Sequence, residues 1–129
     1  MRGLLDTSVL VAIGGTDRPE LPDEAAVSTV SLAELHFGVQ VAKTAASRAH
    51  RLQRLALIES TFTALPVDEP VARAYGELAA LNIKAGRKVR TRVVDLLIAA
   101  TARVHGVPLY TLNRKDFEPF ADLIELRGS

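Results

Sequence analysis

The chain contains no cysteine among its 129 residues. Disulfides, cysteine nucleophiles and thiolate metal sites are therefore excluded, and the absence is consistent with a cytoplasmic location. There is no tryptophan, and aromatic residues make up only 5% of the chain, so the core must be aliphatic, built from Leu, Val, Ile and Ala. No stretch approaches the ~20 consecutive apolar residues of a membrane span. The apolar run from Leu4 to Ile13 is interrupted by Asp6, and neither a signal-peptide core nor a cleavage site follows it. The glycines are scattered, with no dinucleotide fingerprint and no phosphate-binding P-loop pattern. Excess charge of one sign is missing as well, since 16 Lys and Arg against 15 Asp and Glu leave a net +1, too little to establish a nucleic-acid partner.

What is present fits one ordinary globular domain over residues 1–129. Hydrophobic residues at 48% and charged residues at 24% are the balance of a folded chain rather than a disordered one. The distribution of charge says more than its sum. Lys84, Arg87, Lys88, Arg90 and Arg92 put five cations into nine residues with no acid among them. A charge run of this kind is read first as a solvated loop; it gains weight as a phosphate-binding strip because it leads directly into Asp95.

Hydrophobic periodicity predicts strands alternating with helices. Arg2 to Leu5 reads as a buried strand ending at Asp6, followed by a helical turn over Ser8 to Ile13 and a Pro- and acid-containing loop over Thr16 to Asp23. Ala26 to Thr29 is a second strand. Ser31 is expected to open a helix to about Lys43, and a further helix covers about Ala46 to Glu59. Thr63 to Val67 is the third strand. Asp68 can cap the next helix, with Pro70 in its first turn, and that helix ends near Gly86. Thr91 to His105 forms another, stopped by Gly106, before strands at Val107 to Leu112 and Ile124 to Leu126. The alternation implies a mostly parallel sheet between two layers of helices, a three-layer α/β/α domain.

Open sheets of this kind bind ligands beyond the carboxyl ends of their strands. Asp6 ends the first strand there, Asn113 and Asp116 follow the fourth, and Glu34 and Asp95 fall near helix starts. Four carboxylates from distant parts of the chain can therefore meet at one edge. Such a cluster repels itself without a cation. An all-oxygen set without a histidine pair suits a hard ion, Mg²⁺ or Mn²⁺, and carboxylate-held Mg²⁺ is suited to phosphodiester hydrolysis. Each acid also has a plainer reading. Asp6 can cap the turn that follows it. Glu34 completes a capping box in Ser31-Leu-Ala-Glu34, reaching back to the Ser31 amide. Asp116 can be a turn residue. Asp95 is harder to dismiss, because it interrupts Val93, Val94, Leu96, Leu97 and Ile98. His36, His50 and His105 are scattered and carry no assigned role.

Four blocks, Leu4-Leu5-Asp6-Thr7-Ser8-Val9-Leu10, Ser31-Leu32-Ala33-Glu34-Leu35, Asp95-Leu96-Leu97-Ile98-Ala99-Ala100-Thr101-Ala102 and Thr111-Leu112-Asn113-Arg114-Lys115-Asp116-Phe117, occur in this order across almost the whole chain. Together they resemble the PIN-domain family and, more narrowly, VapC-type toxins of bacterial toxin–antitoxin pairs. The resemblance implies an RNase H-like α/β/α fold and a Mg²⁺- or Mn²⁺-dependent endoribonuclease acting on transfer or ribosomal RNA. It implies a small VapB-type antitoxin partner and a homodimer, with no membrane association. Asp6 and Asp95 match the family's principal metal ligands, Glu34 the acid of its second block, and Ser8 the small hydroxyl residue that supports the first aspartate. Thr111 and Asn113 fall into the same supporting layer, and Arg87, Lys88, Arg90 and Arg92 become candidate RNA contacts.

Two departures stand out. The position most often Asp after the fourth strand is Asn113 here, so Asp116 is expected to supply the fourth carboxylate, directly or through water. The span from Asp6 to Glu34 is also short, with one helix reduced to the loop Thr16 to Asp23. Two other readings compete. A haloacid-dehalogenase-like phosphatase needs a second acid two residues after the first, and position 8 is Ser. A catalytically weak PIN-fold binding module with an incomplete acidic site draws some support from Asn113, against which stand Asp6, Glu34, Asp95 and Asp116.

Overall fold

The computed structural model describes residues 2–13 and 19–128. Five parallel strands, β1 (Arg2–Leu5), β2 (Glu24–Ser28), β3 (Thr63–Leu65), β4 (Leu109–Thr111) and β5 (Leu126–Gly128), form one sheet in the order β3-β2-β1-β4-β5. The helices are α1 (Thr7–Ala12), α2 (Thr29–Gln40), α3 (Ala45–Thr61), α4 (Glu69–Lys84) and α5 (Val93–His105), with 3₁₀ turns at Arg90–Arg92 and Arg114–Phe120.

Period-two alternation divides the strand side chains between two cores. Leu4, Ala26 and Leu109 point into one, built with Val71 and Leu78 of α4, Leu96, Ile98 and Ala99 of α5, and Phe117 and Phe120 of the second 3₁₀ segment. Their neighbours Leu5, Val27 and Tyr110 point into the other, which holds Val9 and Leu10 of α1, Leu35 and Val39 of α2, and Leu55 and Ile58 of α3. The low aromatic content is concentrated: Phe117 and Phe120 are fully buried under α4 and α5. At about 25 cal/mol per Å² of buried apolar surface, two such rings contribute several kcal/mol.

Local chemistry explains most of the element ends. Asp68 caps α4 by accepting from the Val71 N–H, with a proline in the first turn, and Gly106 ends α5 at φ 61°, a left-handed position that glycine adopts without strain. The start of α2 differs from the expectation. Ser28, not Ser31, is the cap: its Oγ accepts from the Val30 N–H, and the helix begins at Thr29. With Ser31 already inside the first turn, no capping box joins it to Glu34. Similarly, α5 starts at Val93 after the Arg90–Arg92 turn, so Thr91 is not a cap and Asp95 stands in the first turn. Asp116, which can be read from the sequence as a turn residue, lies in a 3₁₀ helix over Arg114–Phe120. The expected loop from Thr16 lies partly outside the described residues; from 19 to 22 the chain has no regular structure.

Strand connections run outward from β1 in both directions, to β2 and β3 on one side and to β4 and β5 on the other. The switch point therefore lies between β1 and β4, where a crevice opens beyond the strand ends. Because α5 must run back to begin β4, its first turn comes to that same edge, and the 3₁₀ segment after β4 starts there too.

Candidate metal centre

Asp6 leaves the end of β1 directly into this crevice. Its carboxylate does not cap α1. Instead, Oδ2 accepts hydrogen bonds from Ser8 Oγ at 2.7 Å and Thr111 Oγ1 at 2.8 Å. Each hydroxyl is oriented in turn by a backbone donor from the β4 end, Leu112 N–H to Ser8 Oγ at 3.1 Å and Asn113 N–H to Thr111 Oγ1 at 2.9 Å. Both hydroxyl protons are thus committed to a single carboxylate oxygen, which fixes the plane of the group. Asp6 is only 4% exposed, and Thr111 is fully buried. A carboxylate held this way stays oriented whether or not a ligand is present.

Asp95 faces the same space from the first turn of α5. Burial pushes its carboxyl up to about 6, and the negative charges of Asp6 and then Asp116 push in the same direction; the Arg92 guanidinium opposes them only partly. Three carboxylates from β1, α5 and the 3₁₀ segment therefore share one electrostatic neighbourhood. Arg92 lies within it, with Nη1 2.6 Å from Asp116 Oδ1 and 3.5 Å from Asp95 Oδ2. All three side chains are about one-third exposed, so the cluster opens to solvent on this side.

Glu34 is exposed on α2 and joins the site through α1: Thr7 Oγ1 donates to Glu34 Oε1 at 2.7 Å and lies 3.0 Å from Ser31 Oγ. It is not among the charges that raise Asp95. Asn113 is exposed, and its backbone carbonyl accepts the Asp116 N–H at 3.0 Å. The cationic strip divides in two. Arg87 clamps the 3₁₀ segment, donating to the Lys115 carbonyl at 2.7 Å and standing 3.8 Å from Glu118. Arg92 holds Asp116, so neither is a free phosphate contact. Lys84, Lys88 and Arg90 remain exposed. The hydrogen-bond partners of Arg87 and Arg92 stand 28 and 24 residues away, with no periodic signal by which the sequence could reveal them. Thr7, beside Asp6 in the first block, is visible in the sequence only as part of a turn.

The donor set fits a hard divalent ion in kind: oxygens only, one of them preoriented, around a deficit of positive charge. Among the described residues no three acidic or histidine side chains form a ready-made cage.

Fold and site together define a recognised class. The family model described as PIN domain matches residues 3–123, and the chain belongs to that family. The protein named Ribonuclease VapC5 from Mycobacterium tuberculosis is 41% identical over 112 residues, covering 84% of this chain and 81% of the relative. Ribonuclease VapC from Rickettsia bellii is 32% identical over 124 residues, 93% and 91% of the two chains. The fold matches a chain in the crystal structure of VapBC-5, a member of the VapBC family of toxin–antitoxin systems from Mycobacterium tuberculosis, with TM-score 0.81, 35% identity and coverage of 98% and 95%.

Proposed function

We propose that this protein is a Mg²⁺- or Mn²⁺-dependent endoribonuclease and the toxin of a VapBC-type toxin–antitoxin pair. The observation that supports the reading most is Asp6 at the strand end beside the switch point, clamped by Ser8 and Thr111, with its charge and that of Asp116 both acting on Asp95. The names of the relatives support ribonuclease chemistry and an antitoxin partner.

Asp6 and Asp95 would hold the ion, with Asp116 completing the set directly or through water and Glu34 at the rim. When bound, the ion supplies charge neutralisation at the phosphate and activation of water. The protein's own groups do the rest. Ser8 and Thr111 keep the Asp6 carboxylate in one orientation. Arg92 balances Asp116 while the cluster is metal-free, limiting the repulsion that Asp95 feels. Lys88 and Arg90 offer accessible positive charge to RNA phosphates on the α4–α5 side.

Phe37 and Val41, one helical turn apart and 67% and 50% exposed, give an antitoxin an apolar surface to cover. Assembly of two copies, implied by the family resemblance, is read from the molar mass in solution. No helix among the described residues is long and apolar enough to cross a membrane.

The test is cleavage of total RNA by the purified protein with Mn²⁺, with EDTA, and with Asp6→Asn. Asn retains an acceptor for both hydroxyls but not the charge, so it should fold normally and cut nothing. Cleavage by that variant at the wild-type rate removes Asp6 from the metal site, and RNA bound but uncut by the wild type returns the protein to a binding module.

A further inference from the structure

A cavity of about 400 Å³ opens between α1, α2 and α3, lined by Thr7, Glu34, Leu35 and two arginines of α3, Arg51 and Arg54. It lies on the opposite face of the sheet from Lys88 and Arg90. It borders the acidic cluster, because Thr7 is the residue after Asp6 and its hydroxyl holds Glu34. Neither arginine forms an ion pair among the described residues. Arg51 is anchored by one bond, Nη1 to the Gly38 carbonyl at 2.6 Å. Arg54 reaches the Val11 carbonyl only at 3.5 Å, and its Nε is buried with no hydrogen-bond partner. Each guanidinium is held by a single backbone carbonyl, which leaves the remaining Nη donors of both forks for an acceptor in the cavity that the two side chains line. Two guanidinium forks facing one cavity suit an anion with several oxygens, a phosphate above all.

We propose that this cavity is a phosphate subsite, in which Arg51 and Arg54 hold a backbone phosphate of the RNA strand adjacent to the one being cut. The inference rests on the ribonuclease reading above and extends it to substrate positioning. A strand laid over the acidic cluster meets Lys88 and Arg90 on one side and this pair on the other, so cations grip it on both flanks of the negatively charged centre. Two arginines against Glu34 leave the cavity with a net positive charge even before any ion is bound nearby. A carboxylate from a protein partner would find the same donors. The continuity with Asp6 through Thr7 favours the nucleic acid, whose chain must cross that point to be cut.

The experiment measures binding of a fluorescently labelled single-stranded RNA oligonucleotide in EDTA across a salt series, for the wild type and for Arg51→Gln/Arg54→Gln. The expected result is weaker binding, with a log–log salt slope shallower by about 0.7 for each phosphate the variant no longer holds, and unchanged Mn²⁺ affinity by calorimetry. Equal affinity and slope in a folded double variant overturn the subsite. So does a variant that keeps RNA but no longer binds a carboxylate-rich peptide, which would assign the cavity to a protein partner. If the double variant does not fold, the guanidinium Nη–H resonances of Arg51 and Arg54 in the wild type decide: they should shift as the oligonucleotide is added, and no movement at saturation refutes the proposal. A wild type that binds no RNA at all fails the ribonuclease reading itself, a different result from weakening confined to the arginine variants.

Discussion

Replacing Asp95 by Asn should stabilise the metal-free protein, and the structure sets the size and pH course of the effect. The Asp95 carboxyl sits at about 6 in the fold, against an ordinary value of 3.8. Below about pH 4 it carries its proton both folded and unfolded, so it costs nothing. As pH rises from about 4 to about 6 the folded chain holds the proton more tightly than the unfolded chain does, and stability falls. Above that range the penalty is complete, at about 3 kcal/mol from the linkage relation. That figure already nets off the attraction to Arg92, which opposes the rise. For a chain of this size about 3 kcal/mol corresponds to roughly 10 °C in melting temperature. Thermal denaturation in EDTA from pH 4 to pH 7.5 should give matching curves at the acid end and a gap opening towards neutrality, with Asp95→Asn the more stable. Saturating Mn²⁺ should then raise the wild type, by about 2.7 kcal/mol at a hundred times the dissociation constant, and leave the variant nearly unmoved. A gap that is constant across the pH range, or a variant less stable than wild type at pH 7, refutes the claim that ionised Asp95 is destabilised by its surroundings.

Thr111→Val keeps the buried shape but removes the donor to Asp6 and the acceptor for the Asn113 N–H; denaturant unfolding should show a loss of about 1–3 kcal/mol, with a clear drop in RNA cleavage. Glu34→Gln retains an acceptor for Thr7, so its melting point should match wild type, while Mn²⁺ affinity measured by calorimetry should fall about tenfold; unchanged affinity would leave Glu34 only as the clasp between α1 and α2. Arg92→Gln should alter metal binding and the pH dependence of stability, because it uncouples Asp116 from Asp95, whereas Lys88→Gln with Arg90→Gln should change only the salt slope of RNA binding, as calorimetry, pH-dependent melting and the salt series together will show.

Much of this architecture is written in local patterns. The 3.6-residue apolar spacing of α4 and α5, the Asp68–Pro70 start and the Gly106 stop are short-range features, and they lie where the sequence predicts them. Asp95 is conspicuous in the sequence because an acid in the middle of Val93 to Ile98 has no place in an apolar stripe unless something uses it. The differences fall where two local signals compete. Ser28 and Ser31 are both plausible caps; Thr29 and Val30 have strand-favouring side chains, which point to the later one. Yet β2 ends with Ser28 buried and its hydroxyl turned onto the Val30 N–H. The Arg114–Phe120 segment carries Pro119 and no long apolar period, so only the three-residue spacing of Phe117 and Phe120 hints at a 3₁₀ turn. Contacts between distant segments leave no local trace, which is why the division of the cationic strip and the Arg51–Arg54 cavity emerge only in three dimensions.

The arrangement of Arg92 also explains how an acidic crevice can exist in a folded protein without an ion. Three carboxylates in one neighbourhood would repel strongly, and burial of Asp95 sharpens the effect. The guanidinium of Arg92 reaches two of the three and lies one-third exposed, so it offsets the repulsion while remaining free to swing into solvent. Asp6, the third, is held by neutral hydroxyl donors instead. The cluster is therefore asymmetric by construction. One carboxylate is fixed in direction but not neutralised, and the other two share a movable counter-charge. On the proposed metal-dependent reading, a divalent ion would compete with Arg92 only on the Asp95–Asp116 side and would find Asp6 already aimed, so metal affinity should depend on the charge at position 92 far more than on its size.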